Sequence, residues 1–185
     1  MKNLYLLVFI PFLILGCSPK TSSTIVAVDY SEKKDVTDYL VLPYGTIHFP
    51  GKWTKTNYNT SSRQQFMKNT DSITIAASIT PCNKYEFNQE NNLKGIEFIE
   101  AFYNWESNYR TEQGFTTSII EKNENNSYLI WKLYGDSKYG YLDNIYLFGI
   151  KDCIVYNILV LSTTEWNQNE KICRPSSSQY QPETD

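Results

Sequence analysis

Apolar and polar side chains alternate along much of the chain between residues 39 and 162, which is the pattern of half-buried β-strands. The clearest case is residues 72–80, where every second side chain from Ile73 to Ile79 is apolar. The pattern predicts strands at residues 39–42, 46–49, 64–68, 72–80, 116–122, 128–134, 141–150 and 154–162. Residues 154–162 are apolar at both parities, so we expect this strand in the centre of the sheet with both faces covered.

A helical period replaces the alternation at residues 93–113. Apolar side chains recur there at three- and four-residue spacing, at Ile96, Phe98, Ile99, Phe102, Trp105 and Tyr109. We expect Asn91 or Asn92 to cap the start of this helix, and Gly114 to close its end in the left-handed conformation. The aromatic positions could instead line a ligand pocket, but a helix face buried against a sheet has the same pattern, and we favour the buried face.

The order of these elements predicts the fold class. Strands come first, one long helix follows at about residues 93–113, and four strands joined by short polar loops end the chain. Short loops of this kind join neighbouring antiparallel strands. We therefore predict an α+β domain, in which the helix packs on one face of an antiparallel sheet of about six to seven strands.

The expected register of the last hairpins assigns side chains to the two faces of this sheet. If the loop 135–140 pairs Tyr134 with Tyr141, Lys132 falls opposite Asp143. With a two-residue turn at 151–152, one face collects the more apolar set, which we expect to carry the helix: Leu129, Trp131, Leu133, Phe148, Val155 and Leu159.

The opposite face supplies the predicted binding site. It carries Tyr128, Tyr134 and Tyr141 around the pair formed by Lys132 and Asp143. Tyrosine suits a binding surface, because its rigid ring gives contact area and its hydroxyl tolerates water before a partner arrives. The alternative is a second core layer, in which the N-terminal strands or the C-terminal segment cover this face.

The N-terminus differs in composition from the rest of the chain, with an apolar run from Leu4 to Leu15 after Lys2. This run is too short to span a hydrocarbon core of about 30 Å as a helix and contains a proline, so we interpret residues 1–16 as a signal peptide. The sequence Leu13-Ile14-Leu15-Gly16-Cys17 resembles the lipobox of bacterial lipoproteins. That resemblance implies cleavage before Cys17, transfer of diacylglycerol to its sulfur, and a stable membrane anchor of several acyl chains such as palmitate. The alternative is an ordinary secretory signal with a chance cysteine.

The remaining chain divides by composition. Residues 17–37 are rich in Ser, Thr and Lys and are predicted to form a flexible tether behind the lipid. Residues 38–173 are predicted to form the single α+β domain, and residues 174–185 a polar tail. Three cysteines remain besides Cys17, and of Cys82, Cys153 and Cys173 at most one pair can form. We expect one structural disulfide that involves Cys173.

The phrase Ile47-His48-Phe49-Pro50-Gly51-Lys52-Trp53, together with the element order over about residues 39–163, resembles the PsbP-like group of small domains. Bacterial members of that group are often lipoproteins. The resemblance implies a binding or assembly module without a shared catalytic motif, so no residue takes a functional role from it.

Catalytic patterns are weak in this sequence. His48 is the single histidine and lies in a predicted strand, where a structural role is more common than a catalytic one. Glu97 and Glu100 stand three residues apart, but on the polar stripe of the helix neither would acquire the raised pKa that a general acid needs. Cysteine and histidine spacing gives no zinc or redox motif. The formal net charge of -3 offers no basic field for nucleic acid.

Together these features predict a non-enzymatic binding or assembly module of the bacterial envelope, without cofactor or metal, held to a membrane through lipid on Cys17. Its partner is an unidentified envelope protein or small ligand, and not nucleic acid. Ser18 is not the aspartate that retains some lipoproteins in the inner membrane, which favours the outer membrane, facing the periplasm. One alternative is an immunity-type lipoprotein that neutralises a periplasmic toxin, since acidic charge suits a basic partner. Another is an envelope hydrolase.

Overall fold

The computed structural model describes residues 24–138 and 140–161. Its strands and helix, in chain order, are β1 (Ile25–Ser31), β2 (Val36–Leu42), β3 (Gly45–Pro50), β4 (Trp53–Asn59), β5 (Gln64–Asn69), β6 (Thr74–Pro81), α1 (Gly95–Glu112), β7 (Thr116–Asn123), β8 (Tyr128–Ser137), β9 (Gly140–Lys151) and β10 (Ile154–Val160). Two short 3₁₀ turns, Cys82–Lys84 and Glu86–Asn88, lie between β6 and α1.

Seven strands form one antiparallel sheet in the order β4, β5, β6, β10, β9, β8 and β7. The predicted α+β class is confirmed, and β10 lies in the centre of this sheet as its apolar composition predicted. Strands β1, β2 and β3 form a second, smaller antiparallel sheet. The molecule therefore has three layers, with α1 and the small sheet on opposite faces of the large one.

The helix packs on the predicted face of the large sheet. Phe98 and Phe102 are buried against Leu129, Trp131 and Phe148. The rings of Phe102 and Phe148 stack with centroids 3.9 Å apart. This face is continuous and aromatic, and hydrophobic burial of that extent holds α1 in place.

Two expectations about α1 are wrong. Trp105 is 40% exposed. Its ring lies beside Phe87 and Phe102, and its indole N–H donates to the carboxylate of Glu86. The helix begins at Gly95 after Lys94, and the structure shows no side-chain capping bond there. Gly114 does close the other end with a φ of +88°, as predicted.

The hairpin registers differ from the expected ones by two residues. Asp143, not Tyr141, lies opposite Tyr134, and Ile154 pairs with Lys151 around a turn at Asp152 and Cys153. Strands β8 and β9 extend further into the predicted loop than expected. Because side chains alternate with a period of two, a shift of two residues leaves every side chain on its assigned face.

The predicted tether is too long. Residues 25–31 form β1 and pair with β2, so the ordered chain begins well before residue 38. Strand β1 has no buried residue and only half-buried ones on its inner side, so it lacks the strong alternation that would have revealed it. Strand β4 escaped prediction for a similar reason: after the buried Trp53 it is polar and exposed along its length.

The small sheet covers the face that the tyrosines were predicted to leave open. Tyr39, Val41, Ile47 and Phe49 of β2 and β3 pack on an aliphatic face of the large sheet, formed by Ile75, Ile130, Ile145, Leu147, Ile158 and Val160. The alternative reading, in which N-terminal strands form a second core layer, therefore holds for the middle of this face.

The disulfide joins Cys82 to Cys153, with Cα atoms 4.9 Å apart. The expectation that Cys173 takes part is wrong, and Cys173 itself lies outside the described residues. The pairing follows from the ladder between β6 and β10. Pro81 lies opposite Ile154, so the next residue along each strand end brings the two cysteines together. Sequence spacing does not reveal this register.

Candidate functional site

Four of the five predicted binding residues meet near the end of the β8–β9 hairpin. Lys132 Nζ lies 2.9 Å from Asp143 Oδ1 and 5.2 Å from the centroid of the Tyr134 ring. The salt bridge is diagonal across the two strands, because Asp143 lies opposite Tyr134 and not opposite Lys132. Tyr141 follows along the same face and is 60% exposed. We call Lys132, Tyr134, Tyr141 and Asp143 the hairpin-end surface.

The fifth predicted residue, Tyr128, belongs elsewhere. It begins β8, at the opposite end of the strand from the hairpin, and is only 9% exposed. Its hydroxyl donates to the carboxylate of Glu121 on the neighbouring strand β7. Tyr128 is therefore a core residue with a satisfied hydroxyl, and it does not extend the hairpin-end surface.

Tyr156 shows how the small sheet closes the rest of this face. A Cβ atom added to Gly45 of β3 would lie 3.3 Å from the Tyr156 hydroxyl oxygen. Burial raises the pKa of this hydroxyl, and the charge of Asp152 raises it further. The small sheet therefore covers the middle of the face opposite α1, and the hairpin-end surface belongs to the same face.

A cavity of about 1020 Å³ lies at the other end of β8, and the sequence analysis did not identify it. Its polar lining residues include Asn91, Asn125, Asn126 and Ser127. Leu93, Cys153 and the nearly buried Ile150 supply apolar lining, and the completely buried Cys82 lies behind it. We call this feature the amide cavity.

The loop before α1 forms one wall of the amide cavity, and the buried Asn88 organises it. Its amide oxygen accepts the Leu93 N–H at 2.8 Å, and its amide nitrogen lies 3.3 Å from the Leu93 carbonyl and 3.4 Å from the Cys82 carbonyl. Asn91 Oδ1 lies 2.9 Å from Cys82 Sγ and 3.2 Å from Cys153 Sγ. Since a disulfide sulfur carries no proton, these are close packing contacts.

Backbone geometry at the amide cavity is unusual. Four non-glycine residues with a positive φ line it: Asn91, Ser127, Asp152 and Cys153. Asp152 and Cys153 form the turn between β9 and β10, where two consecutive positive φ angles match the twist of the strands. Asn91 and Ser127 also have a positive φ, but neither lies in a two-residue hairpin turn. Left-handed non-glycine residues cost free energy and cluster at functional sites.

Helix α1 starts at the edge of the same cavity. Gly95 has a φ of +52°, and a Cβ atom there would lie 3.3 Å from Ser127 Oγ. A side chain at this position would be strained in conformation and would crowd Ser127. Glycine therefore allows α1 to approach the β7–β8 loop closely.

The catalytic candidates are not brought together. His48 Nδ1 lies 2.6 Å from Asp38 Oδ1, its cross-strand neighbour in the small sheet. Glu100 accepts a hydrogen bond from the ammonium of Lys122, and Glu97 is exposed on α1. Among residues 24–138 and 140–161, no cluster of three or more His, Cys, Asp or Glu side chains could hold a metal ion. Nor does this part of the chain contain a helix long and apolar enough to cross a membrane.

The amide cavity has a signal in the sequence that corresponds to no recognised motif. Asparagine recurs in two separate segments, residues 88–92 and 123–126, each predicted as a loop or helix start. Only the fold shows that these segments face each other, because one precedes α1 and the other joins β7 to β8.

The chain matches no protein-family model, and a search of curated protein sequences gives no match. Among solved structures, the fold is similar to the solution structure of cyanobacterial PsbP (CyanoP) from Synechocystis sp. PCC 6803. The TM-score is 0.44 and the identity 9%, over 86% of this chain and 93% of that chain. This likeness to PsbP is weak, and no residue of this chain takes a role from it.

Proposed function

We propose that this protein is a lipoprotein of the bacterial envelope, anchored through lipid on Cys17, which acts as a non-enzymatic binding or assembly module. The observation that carries the proposal is the disulfide between Cys82 and Cys153. Such bonds persist in oxidising compartments and are rare in the cytosol. A signal peptide that ends in a lipobox delivers a protein to that kind of compartment.

The position of the disulfide supports a structural role. Cys82 is completely buried, and the bond closes a segment in which the two cysteines are 71 residues apart. Closing a segment of that length removes conformational freedom from the unfolded chain and stabilises the fold by about 4 kcal/mol. The domain therefore draws on an oxidising environment for part of its stability.

The hairpin-end surface is the proposed contact with the partner. Tyr141 offers an exposed ring, and the salt bridge between Lys132 and Asp143 holds the Lys132 ammonium near Tyr134. Tyrosine is enriched in protein interfaces and among the residues that carry most of the binding energy. The small sheet and α1 cover the two faces of the large sheet, so a contact at this end requires no rearrangement of the core.

The anchor is tested with the full-length chain expressed in a bacterial host. Cys17→Ala should leave the protein uncleaved or release it from the membrane fraction, and should abolish incorporation of labelled palmitate. Cys173→Ala is the matched control, since Cys173 takes no part in the described disulfide, and it should behave like the parent. If Cys17→Ala is cleaved normally and still fractionates with membranes, the lipoprotein assignment is wrong.

A further inference from the structure

We propose that the amide cavity is a binding site for a small, uncharged saccharide. The inference is independent of the hairpin-end surface, because the two lie at opposite ends of β8. Tyr128 and Tyr134 are six residues apart, which corresponds to about 20 Å along a strand. The proposal also does not require the lipid anchor.

The lining chemistry indicates the class of ligand. Each asparagine side-chain amide offers N–H donors and an acceptor oxygen, and the Ser127 hydroxyl can both donate and accept a hydrogen bond. Sugar hydroxyls also donate and accept together, so a wall of neutral groups of mixed polarity matches them. Among the described residues, the side-chain amides of Asn125 and Asn126 make no hydrogen bond to the protein and are exposed.

Apolar lining complements these polar groups. Leu93 and Cys153, both partly exposed, line the cavity beside the nearly buried Ile150. A sugar ring has an apolar face of C–H groups, and the transfer of that face from water to an apolar surface is favourable. The volume of about 1020 Å³ is at the upper end of the range for small-ligand sites and has room for more than one sugar unit.

The charges around the cavity argue against an anionic ligand. Lys94 and Lys151 line it, but so does Asp152, and all three are exposed. Charges of both signs produce no strong field of one sign, so they would not concentrate a phosphate or a carboxylate. Hydroxyl groups, by contrast, can bond to either kind of charge.

The cavity is also built before a ligand arrives. The disulfide fixes the β9–β10 turn to the end of β6, and Asn88 fixes the loop that carries Asn91. The left-handed residues Asn91 and Ser127 each donate a backbone hydrogen bond within their own turn, to the carbonyls of Asn88 and Glu124. Binding to a preformed wall avoids the cost of ordering loops, which is the main advantage of preorganisation.

The test uses the full-length chain in a detergent without a sugar headgroup, and three probes: maltotriose, cellotriose and the trimer of N-acetylglucosamine. Each probe is added to about 10 mM, and hydrogen exchange and the melting temperature are measured. At least one probe should slow amide exchange in residues 88–95, 124–128 and 150–153, and should raise the melting temperature in a concentration-dependent way.

Variants assign this response to the cavity. The double variant Asn125→Ala with Asn126→Ala should weaken binding at least about tenfold, since the exposed amides would otherwise bond to the sugar. Asn125→Asp with Asn126→Asp keeps the shape but removes the donors, and should also weaken it. The matched control, Asn104→Ala with Asn108→Ala, removes two exposed amides of α1 that do not line the cavity, and should bind like the parent.

Three results would overturn the proposal. The first is no response to any of the three probes at the highest concentration, although the protein melts cooperatively. The second is protection that lies outside the cavity segments. The third is unchanged binding in both double variants of Asn125 and Asn126, with melting temperatures of the unliganded variants equal to that of the parent.

Discussion

The two faces of the large sheet are both buried, but by different means. On the helix face, aromatic rings stack: Trp131 on Tyr146 with centroids 4.3 Å apart, and Phe102 on Phe148. On the other face the large sheet presents aliphatic side chains such as Ile130 and Leu147, and the small sheet covers them. A helix cover was visible in the sequence through its period. The strands β2 and β3 were also predicted, but their cover of this face stayed one of two alternatives, because alternation does not show whether a strand joins a sheet or lies across its face.

This difference changes where a partner can bind. A sheet with one bare face would offer that face, and the tyrosines were assigned to it. With both faces covered, the two candidate sites lie at the ends of β8: the hairpin-end surface at one end and the amide cavity at the other.

The helix face should respond most strongly to truncation. Phe102→Ala removes a ring that is 2% exposed and stacked on Phe148, so the free energy of unfolding should fall by about 3 to 5 kcal/mol. Trp105→Ala removes a ring that is 40% exposed and should cost less than half as much. Chemical denaturation of both variants measures the difference. Equal losses would mean that α1 is buried evenly along its length.

The disulfide should contribute nearly as much. Cys82→Ala with Cys153→Ala should lower the free energy of unfolding by about 4 kcal/mol, since the unfolded chain regains its freedom. Cys173→Ala should leave it unchanged, which makes it the matched control. Melting curves with and without a reductant give the same comparison in the parent. A destabilised Cys173→Ala variant with an unaffected double variant would contradict the pairing.

Buried tyrosines on both faces should make the fold sensitive to alkaline pH. Burial raises the pKa of Tyr146 to about 12 on the helix face, and burial raises the pKa of Tyr39 on the other face. The unfolded chain releases these protons near pH 10, before the folded state does. The contribution of these tyrosines to the free energy of unfolding is therefore fully present below about pH 10. It is lost as the pH rises toward 12, by up to about 1.4 kcal/mol per pH unit for each group.

Tyr146→Phe removes one of these protons and tests the assignment. Its free energy of unfolding should decline less steeply than that of the parent between pH 10 and 12, whatever its stability at neutral pH. Denaturation curves at several pH values measure the two slopes. Parallel declines would show that the Tyr146 hydroxyl ionises equally in both states.

Much of the fold could be predicted because it depends on periodicity. The period of two assigned Leu129 and Tyr128 to the correct faces even though both hairpin registers were wrong by two residues. Features that depend on pairing between distant strands could not be predicted. The partner of Cys82 follows from the β6–β10 register, and the polar edge strand β4 is held by its neighbour β5 and not by its own pattern.

The candidate sites show the same division. The hairpin-end residues are close in sequence, so the pairing of one hairpin was enough to predict that Lys132 and Asp143 lie near each other. The amide cavity combines segments from before α1, from the β7–β8 loop and from the β9–β10 turn. No local pattern places Asn91 beside Ser127, because their meeting depends on how α1 lies across the completed sheet.

The central claim is that the protein binds its partner through the end of the β8–β9 hairpin and not through a face of the sheet. The direct test places a photoreactive amino acid at Tyr141 of the full-length chain in cells that naturally produce it. The matched control places it at Tyr109, which is 54% exposed on α1. We predict a discrete cross-linked product from position 141 alone, with a melting temperature equal to that of the parent. Cross-linking from position 109 without a product from position 141 would contradict the account.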